Sequence, residues 1–246
     1  MRRFGLIGRN ISYSFSRGYF TKKFSREKID AIYENFDLQD ISEFPDVLKT
    51  NPQPVGFNVT IPYKEAIIPY LDSMDPIAAE IGAVNTIKVN QDGTLTGYNT
   101  DLWGFIEAIG PHLKPAHTKA LILGTGGASK AVNHGLKSLG LQPAFVSRTA
   151  SRNTISYEDL SEEILQEYTV VVNTTPLGTS PKTEEYPDIP IQFLTTQHLV
   201  FDLIYNPPTT KLMELALLQG ATVVNGQKML EFQAEKAWEI WNKSSS

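Results

Sequence analysis

The sequence predicts an α/β protein with two sheets, a mixed one followed by a doubly wound parallel one. The first hundred residues alternate short strand and helix patterns, and they include a hairpin at the two-residue turn signal Asp92-Gly93. In the second half, a glycine-rich turn directly follows the apolar run 120–123. The later apolar runs are nearly continuous, which is typical of parallel strands covered on both faces. These three observations together indicate the fold class.

The elements of the first half follow from hydrophobic periodicity. Strands are expected at RFGLIG (3–8), AIYENFDL (31–38) and GFNVTIP (56–62), and helices at 18–24, 41–50, 63–71 and 102–113. In GFNVTIP, Asn58 and Thr60 alternate with apolar residues, so this strand has one apolar face. Pro62 ends its pairing, because proline has no N–H to donate.

The elements of the second half read as strands separated by helical segments. Further strands are expected at PAFVSR (143–148), TVVVNT (169–174), HLVFDL (198–203) and ATVVNG (221–226). The final helix, 227–242, has an apolar stripe that must pack on another element. Its members are Leu230, Ala234, Ala237, Trp238 and Trp241.

The composition is that of a globular protein. Hydrophobic residues make up 41% and charged residues 20% of the 246 positions, enough apolar material for one large or two modest domains. The net charge of −5 gives no electrostatic reason to expect nucleic acid or an anionic membrane as partner. Cysteine is absent, which excludes disulfides and thiolate nucleophiles, and we predict no metal site. Without a signal peptide or a run of about 20 apolar residues, we expect a cytoplasmic protein.

The glycine-rich turn predicts a dinucleotide site. Gly124, Gly126 and Gly127 come directly after the apolar run 120–123, and a helical pattern follows. Glycine lets the backbone turn tightly and approach a pyrophosphate, which lies against the free N–H groups of the helix N-terminus. The strand before and the helix after make the pattern informative, although Ser129 replaces the third glycine. The alternative is an ordinary strand-to-helix turn.

The residues after the next strand favour NADP over NAD. About twenty residues beyond the glycines, an NAD-binding protein carries Asp or Glu for the ribose hydroxyls. Here the chain has Ser147, Arg148 and Thr149, with Arg152 three residues further on. Guanidinium groups bind phosphate bidentately, so this segment suits the 2′-phosphate of NADP. The alternative is a solvated basic turn.

Polar residues at strand ends in the first half are candidates for proton transfer and substrate binding. Lys64 follows Pro62, Asn85 ends the segment GAVN, and Asp101 closes GYNTD where the first half meets the second. A hydride-exchanging cofactor needs an acid or base for the accompanying proton, and Lys64 and Asp101 could share one substrate hydroxyl. Alternatively, Lys64 is a solvated surface lysine and Asp101 is the N-cap of a helix that starts at Leu102.

In sequence order, these motifs resemble the shikimate dehydrogenase family over nearly the whole chain. The matching segments are SYSFS, GFNVTIPYK, GAVNT, GYNTD, GTGGASKA, SRT, NTTPLG, DLIYNPPTTKL and NGQKMLEFQA. The resemblance implies a reversible, NADPH-dependent reduction of 3-dehydroshikimate to shikimate, in the pathway to chorismate and the aromatic amino acids. The expected cofactor is therefore NADP(H).

The resemblance also implies roles for individual residues. Lys64 would be the acid–base at the reacting oxygen, with Asp101 beside it, and which of the two transfers the proton stays open. The substrate-binding residues would be Ser14, Ser16, Thr60, Asn85, Tyr205 and Gln233. The cofactor-binding residues would be Gly124, Gly126, Gly127, Ala128, Ser147, Arg148, Thr149, Arg152, Gly226 and Met229.

The same resemblance implies a domain organisation. Residues 1–101 and 227–246 would form the substrate-binding catalytic domain, and residues 102–226 a Rossmann-like NADP-binding domain. The last helix would return to the substrate domain, where Gln233 completes the site. Family members occur as monomers and homodimers, and the sequence does not distinguish them.

Several positions depart from the family pattern and leave the substrate preference open. They are Tyr13, Arg17, Phe20, Ser147, Thr179 and Asn225. One rival is an enzyme of this family that also accepts quinate and NAD, but such members are expected to carry an acidic residue in place of Arg148. A non-catalytic sensor would be expected to lack Lys64 or Asp101. A folate-type dehydrogenase would lack the serine pair.

Overall fold

A computed structural model of the chain describes residues 1–12, 14–149 and 154–243. The chain divides into two compact units. One contains Met1–Trp103 and the C-terminal segment from Leu230, and the other contains Gly104–Met229. The first has a mixed sheet and the second a parallel sheet, which confirms the predicted fold class.

The first unit contains a mixed six-stranded sheet in the order β2-β1-β3-β5-β6-β4. Its strands are β1 (Arg2–Gly8), β2 (Ala31–Asp37), β3 (Gly56–Val59), β4 (Ser73–Met74), β5 (Thr86–Val89) and β6 (Leu95–Tyr98). β1 is parallel to β2 and β3, whereas β5 is antiparallel to β3 and β6. β5 and β6 form the predicted hairpin, but its turn has three residues (91–93), closed by a bond from Asn90 N to Thr94 O of 2.8 Å. Gly93 adopts φ +87° there, which glycine does without strain.

The helices of the first half differ from prediction at two places: none spans 63–71, and a helix that was not predicted occupies Pro76–Ile81. The helices whose first residues lie in the first unit are α1 (Phe15–Glu27), α2 (Phe44–Leu48), α3 (Pro76–Ile81) and α4 (Thr100–Ile109). The helix predicted over 63–71 is wrong, because this segment contains only a 3-10 turn at Ile68–Tyr70. Pro69 explains the difference, since a proline inside an α-helix lacks the required N–H and clashes with the carbonyl four residues earlier. Within the described residues, no helix combines the length and the hydropathy needed to cross a membrane.

The C-terminal helix α8 (Gln227–Asn242) returns to the first sheet, as predicted. Its Trp241 ring lies 4.8 Å from that of Phe4, between centroids, and Trp241 Nε1 donates to Ile87 O at 3.0 Å. Gly56 leaves room for the indole, because a Cβ at that position would lie 2.5 Å from Trp241. The apolar stripe of α8 is therefore part of the core of the first unit.

The second unit contains a parallel six-stranded sheet in the order β12-β11-β10-β7-β8-β9. Its strands are β7 (Lys119–Leu123), β8 (Gln142–Ser147), β9 (Thr154–Ser156), β10 (Val170–Asn173), β11 (Leu199–Asp202) and β12 (Thr222–Asn225), and its further helices are α5 (Gly127–Ser138), α6 (Glu162–Glu167) and α7 (Lys211–Leu218). The apolar runs of β7, β10 and β11 are fully buried. β8, which follows β7 along the chain, pairs with one edge of β7, and β10 pairs with its opposite edge. The carboxyl ends of β7 and β10 therefore form the crevice in which ligands bind in such sheets.

Candidate active site

Thr60 lies at the carboxyl end of β3, and the predicted serines Ser14 and Ser16 lie at the N-terminus of α1, the helix that follows β1. Thr60 follows β3 directly, and its N–H donates to Ile7 O, near the end of β1, at 2.8 Å. β1 leads into α1, whose N-cap is Ser14: its Oγ accepts from Arg17 N at 3.1 Å. Ser16 lies in the first turn of the same helix. The free N–H groups and positive dipole end of a helix favour a carboxylate ligand.

Lys64 and Asp101 form an ion pair in the first unit. The Lys64 Nζ and Asp101 Oδ2 atoms are 2.7 Å apart, and the two side chains are 17% and 6% exposed. Lys64 is therefore not the solvated surface lysine that the sequence left as an alternative. Its main chain is held too, because Lys64 O accepts from Val84 N at 2.7 Å. Both charges are thus fixed in one place with little screening by water.

Asp101 is not the N-cap of α4. The helix begins one residue earlier, at Thr100, and Asn99 Oδ1 accepts from Leu102 N at 3.1 Å, as an N-cap side chain does. Asn99 is itself anchored, because its Nδ2 donates to Ala83 O at 2.9 Å. Since Asn99 performs the capping, the Asp101 carboxylate in the first turn is left to pair with Lys64.

Asn85 connects the hairpin, α4 and the C-terminal helix. Its Nδ2 donates to Gln233 Oε1 on α8 at 3.0 Å, and its Oδ1 accepts from Thr100 N at 2.6 Å. Asn85 is 3% exposed, and both ends of its amide are engaged, so its orientation is determined. The structure therefore brings the predicted residues Asn85 and Gln233 together, and the partner Thr100 is one residue from Asp101 along the chain.

Three buried polar residues next to this network were missed by sequence reasoning. Tyr33 OH donates to Asn58 Oδ1 at 2.8 Å, and Asn58 Nδ2 donates to Thr86 Oγ1 at 3.1 Å. Burial raises the pKa of Tyr33 well above its ordinary value, and a hydrogen bond with the Ser16 side chain acts in the opposite direction. The sequence signal that could have indicated them was Asn58, a polar residue in the alternating strand GFNVTIP. In the structure Asn58 is buried rather than exposed to solvent.

In the second unit, the glycine turn has the geometry that phosphate binding requires. Gly124 adopts φ +98°, and a Cβ there would lie 3.0 Å from Thr175 Cγ2 and 3.1 Å from Thr174 Oγ1. Gly126 is the N-cap of α5 and supplies no side-chain hydrogen bond. A Cβ on Gly126 or Gly127 would meet nothing within 4 Å. An anion can therefore approach the first N–H groups of α5 without meeting a side chain.

A cavity of about 650 Å³ opens beside this turn. The glycine turn, the end of β8, the residues after β9, the loop after β10 and the segment 186–188 form its walls. Its lining includes Gly124, Gly126, Ser147, Arg148, Tyr157, Thr174, Thr175, Pro176 and Leu177. Arg148 is exposed. Burial raises the pKa of Tyr157, and the positive charge of Arg148 acts against this rise.

The groups around this cavity fit NADP. The bare helix N-terminus suits a pyrophosphate, and the guanidinium of Arg148 suits a 2′-phosphate. Thr149 N donates to Ser147 Oγ at 3.3 Å, which shapes the turn that presents Arg148. Arg152 lies outside the described residues.

The other predicted residues of the second unit are not part of the lining of this cavity. Ala128 is in the first turn of α5, and Tyr205 follows β11 by three residues. A Cβ at Gly226 would lie 2.0 Å from Leu203 O, so that position accepts only glycine. Met229, in the first turn of α8, is 5% exposed.

Together, these features define a class of protein. A doubly wound parallel sheet with a glycine turn, a bare helix N-terminus and an arginine after its second strand is a dinucleotide-binding unit. A lysine paired with a buried carboxylate is a group that can move a proton at a substrate oxygen. The chain is therefore a dinucleotide-dependent oxidoreductase.

Known proteins place the chain in one family of this class. A family model described as the shikimate dehydrogenase substrate binding domain matches residues 6–87. A shikimate dehydrogenase (NADP(+)) from Desulforamulus reducens is 36% identical over 266 residues, which cover 96% of this chain and 88% of that protein. The chain belongs to the shikimate dehydrogenase family.

Solved structures agree with this assignment. The structure of shikimate 5-dehydrogenase from Thermus thermophilus, in complex with NADP(H) and shikimate, has a TM-score of 0.86 at 31% identity and covers 98% of this chain and 94% of its own. Quinate dehydrogenase from Corynebacterium glutamicum, in complex with NAD, has a TM-score of 0.87 at 26% identity and covers 98% of this chain and 93% of its own.

Proposed function

We propose that this protein is an NADP-dependent shikimate dehydrogenase, which reduces 3-dehydroshikimate to shikimate reversibly in the pathway to chorismate and the aromatic amino acids. The observation that carries the proposal is the Lys64–Asp101 pair, 2.7 Å apart, in the same unit as the Asn85–Gln233 contact. Curated relatives of near-full length are named as NADP-dependent enzymes of this activity, which supports it.

The first unit binds the substrate. Ser14 and Ser16, at the N-terminus of α1, hold its carboxylate together with Thr60, and Asn85, Asp101 and Gln233 bind ring hydroxyls. The Asn85 amide supports this role, because its contacts with Thr100 and Gln233 fix which end accepts and which donates. Tyr205, three residues after β11, is a further substrate-binding residue.

Lys64 is the acid–base group at the reacting oxygen. During reduction of the ketone, negative charge develops on that oxygen, and an ammonium group stabilises the charge and then donates its proton. The salt bridge with Asp101 orients Nζ, so the position of the acid does not depend on a mobile side chain. In the direction of shikimate oxidation, the hydroxyl proton goes to Lys64 or to Asp101, and the experiment below distinguishes them.

The second unit binds NADP(H), which when bound accepts or supplies the hydride. The turn with Gly124, Gly126, Gly127 and Ala128 holds the pyrophosphate. Ser147, Arg148, Thr149 and Arg152 hold the 2′-phosphate. Gly226 and Met229 lie by the nicotinamide.

Quinate is a second candidate substrate, because the Corynebacterium quinate dehydrogenase has a closely similar fold. Quinate has one more hydroxyl, on the carbon that bears the carboxylate, so the surroundings of Ser14 and Ser16 decide whether it is accepted. Arg148 favours NADP for either substrate. Initial rates with shikimate and with quinate, at saturating NADP, decide between the two. A monomer or homodimer and a cytoplasmic location remain predictions from the sequence.

The deciding experiment measures NADPH formation from shikimate and NADP by native protein and by Lys64→Ala. We expect the variant to lose about 100-fold or more in kcat while it still binds shikimate. Lys49→Ala is the matched control, because Lys49 pairs with Asp46 at the surface and its side chain is 75% exposed. Near-native turnover by Lys64→Ala would make Lys64 a positioning residue and assign the proton to Asp101. No turnover by native protein would favour a non-catalytic, ligand-binding protein.

A further inference from the structure

Asp202 is a buried carboxylate with no part in the proposed chemistry. It ends β11 and is fully buried. Its Oδ1 accepts from Asn173 Nδ2 at 3.0 Å and from Ile204 N at 3.1 Å, and its Oδ2 accepts from Thr210 Oγ1 at 2.7 Å. Burying a carboxylate costs folding free energy even when it is hydrogen-bonded. Asp202 therefore contributes through the groups that donate hydrogen bonds to it rather than through its own burial.

Asn173 is the partner of Asp202 that leads to the cofactor cavity. It ends the neighbouring strand β10, directly opposite Asp202 in the sheet register. While its Nδ2 is held by Asp202, its Oδ1 accepts from Thr175 N at 3.0 Å and from Thr175 Oγ1 at 2.7 Å. A side-chain amide has one donor end and one acceptor end. A flipped Asn173 would therefore direct N–H toward N–H at Thr175 and oxygen toward oxygen at Asp202.

The loop that Asn173 holds is a wall of the cavity. Thr174, Thr175, Pro176 and Leu177 all line it. The two threonines also pack against Gly124, where a Cβ would lie 3.0 Å from Thr175 Cγ2. A displaced Thr175 would therefore alter both this wall and the support of the phosphate-binding turn.

We propose that Asp202 is a positioning residue for the dinucleotide: it orients the Asn173 amide, which fixes the loop 174–177 in the conformation that binds NADP. The inference rests on the proposed function, since it takes NADP as the cavity's ligand. Asp202 touches neither substrate nor cofactor and acts only through Asn173.

The test is the affinity for NADP, measured by titration calorimetry on the full chain. Asp202→Ala leaves Asn173 Nδ2 without its acceptor, and we expect the Kd for NADP to rise about tenfold, the equivalent of about one oriented hydrogen bond. Asp202→Asn should stay within about twofold of native, because the asparagine oxygen can take the place of Oδ1 and its NH₂ can donate to Thr210 Oγ1. In steady state, Asp202→Ala should raise the KM for NADP and keep kcat and the shikimate KM near native.

Two further variants separate positioning from general stability. His198 immediately precedes the same strand at its other end, is 2% exposed, and bonds to Leu165 O and Thr195 N. His198→Ala should lower the Tm and leave the Kd for NADP unchanged. Asn173→Ala should weaken NADP binding as much as Asp202→Ala does. The double variant should bind NADP no more weakly than the single variants, because the two residues act through one contact.

The outcomes are distinct. Native-like NADP affinity in Asp202→Ala, or an equal loss in His198→Ala, would overturn the inference and leave the proposed function intact. If Asp202→Ala does not fold, Asn173→Ala decides by the same criterion. A native protein that binds no NADP would refute the proposed function and the inference with it.

Discussion

The variant Tyr33→Phe removes one buried hydroxyl and keeps the aromatic ring. Tyr33 is 5% exposed, and its ring stacks on that of Phe20 with 4.7 Å between centroids. This packing survives the substitution, so the effect comes from hydrogen bonds alone. Asn58 Oδ1 loses the donor that lies 2.8 Å away, and it stays buried. Ser16 loses its contact with the phenol as well.

The magnitude follows from these contacts. An unpaired buried acceptor costs about 1–3 kcal/mol of the free energy of unfolding. Taking about 2 kcal/mol, a chain of this length should lose about 4–8 °C in Tm. Because Ser16 is proposed to hold the substrate carboxylate, the KM for shikimate should also rise about three- to tenfold, as expected for one weakened hydrogen bond.

Thermal denaturation followed by circular dichroism and steady-state kinetics measure the two effects. Tyr63→Phe is the matched control, since Tyr63 is equally buried and its OH donates to Leu38 O at 2.7 Å rather than to Asn58. It should lose a similar amount of stability at an unchanged shikimate KM. The reasoning fails if Tyr33→Phe keeps both the native Tm and the native KM, or if Tyr63→Phe raises the KM as much.

Three other variants test separate parts of the structure. Arg148→Ala should weaken NADP binding about 10- to 100-fold and barely change NAD binding; equal losses in calorimetric titrations of the two would remove Arg148 from the 2′-phosphate. Burial raises the pKa of Asp202 from 3.8 to about 6, so the folded state favours the protonated carboxyl. This preference adds its full amount to the free energy of unfolding below about pH 4, and the contribution is lost as the pH rises through about 6. Between pH 5 and 7.5, urea unfolding should show native protein losing about 1.4 kcal/mol relative to Asp202→Asn, and parallel pH profiles would contradict this. Trp241→Ala should lower the free energy of unfolding by about 3–5 kcal/mol. The loss should be far greater than for the control Trp103→Ala, because Trp103 is 43% exposed. Similar Tm values for the two variants would show that α8 contributes little to the core.

Expectations from local patterns were mostly confirmed. The alternation around Asp92-Gly93 predicts the hairpin β5–β6, and the apolar runs predict β7, β10 and β11, because side-chain period and turn chemistry act over a few residues. The error at 63–71 has a local cause too, since Pro69 outweighs the helical spacing of its apolar neighbours. Ser129 takes the place of the third glycine of the turn motif. Its side chain is accommodated there, since Ser129 is 1% exposed and its hydroxyl donates to Gly126 O at 2.6 Å.

The sequence by itself determined the fold class, the glycine turn and the arginine after β8, since each depends on neighbouring residues. Only the tertiary structure decided that Lys64 pairs with Asp101, that Asn99 rather than Asp101 caps α4, and that Asn58 is buried beneath Tyr33. Those contacts join residues that are distant along the chain, or depend on where a helix begins, so they follow from strand order and register. One slip in register would turn every side chain of a strand to the opposite face, and no local pattern carries that information.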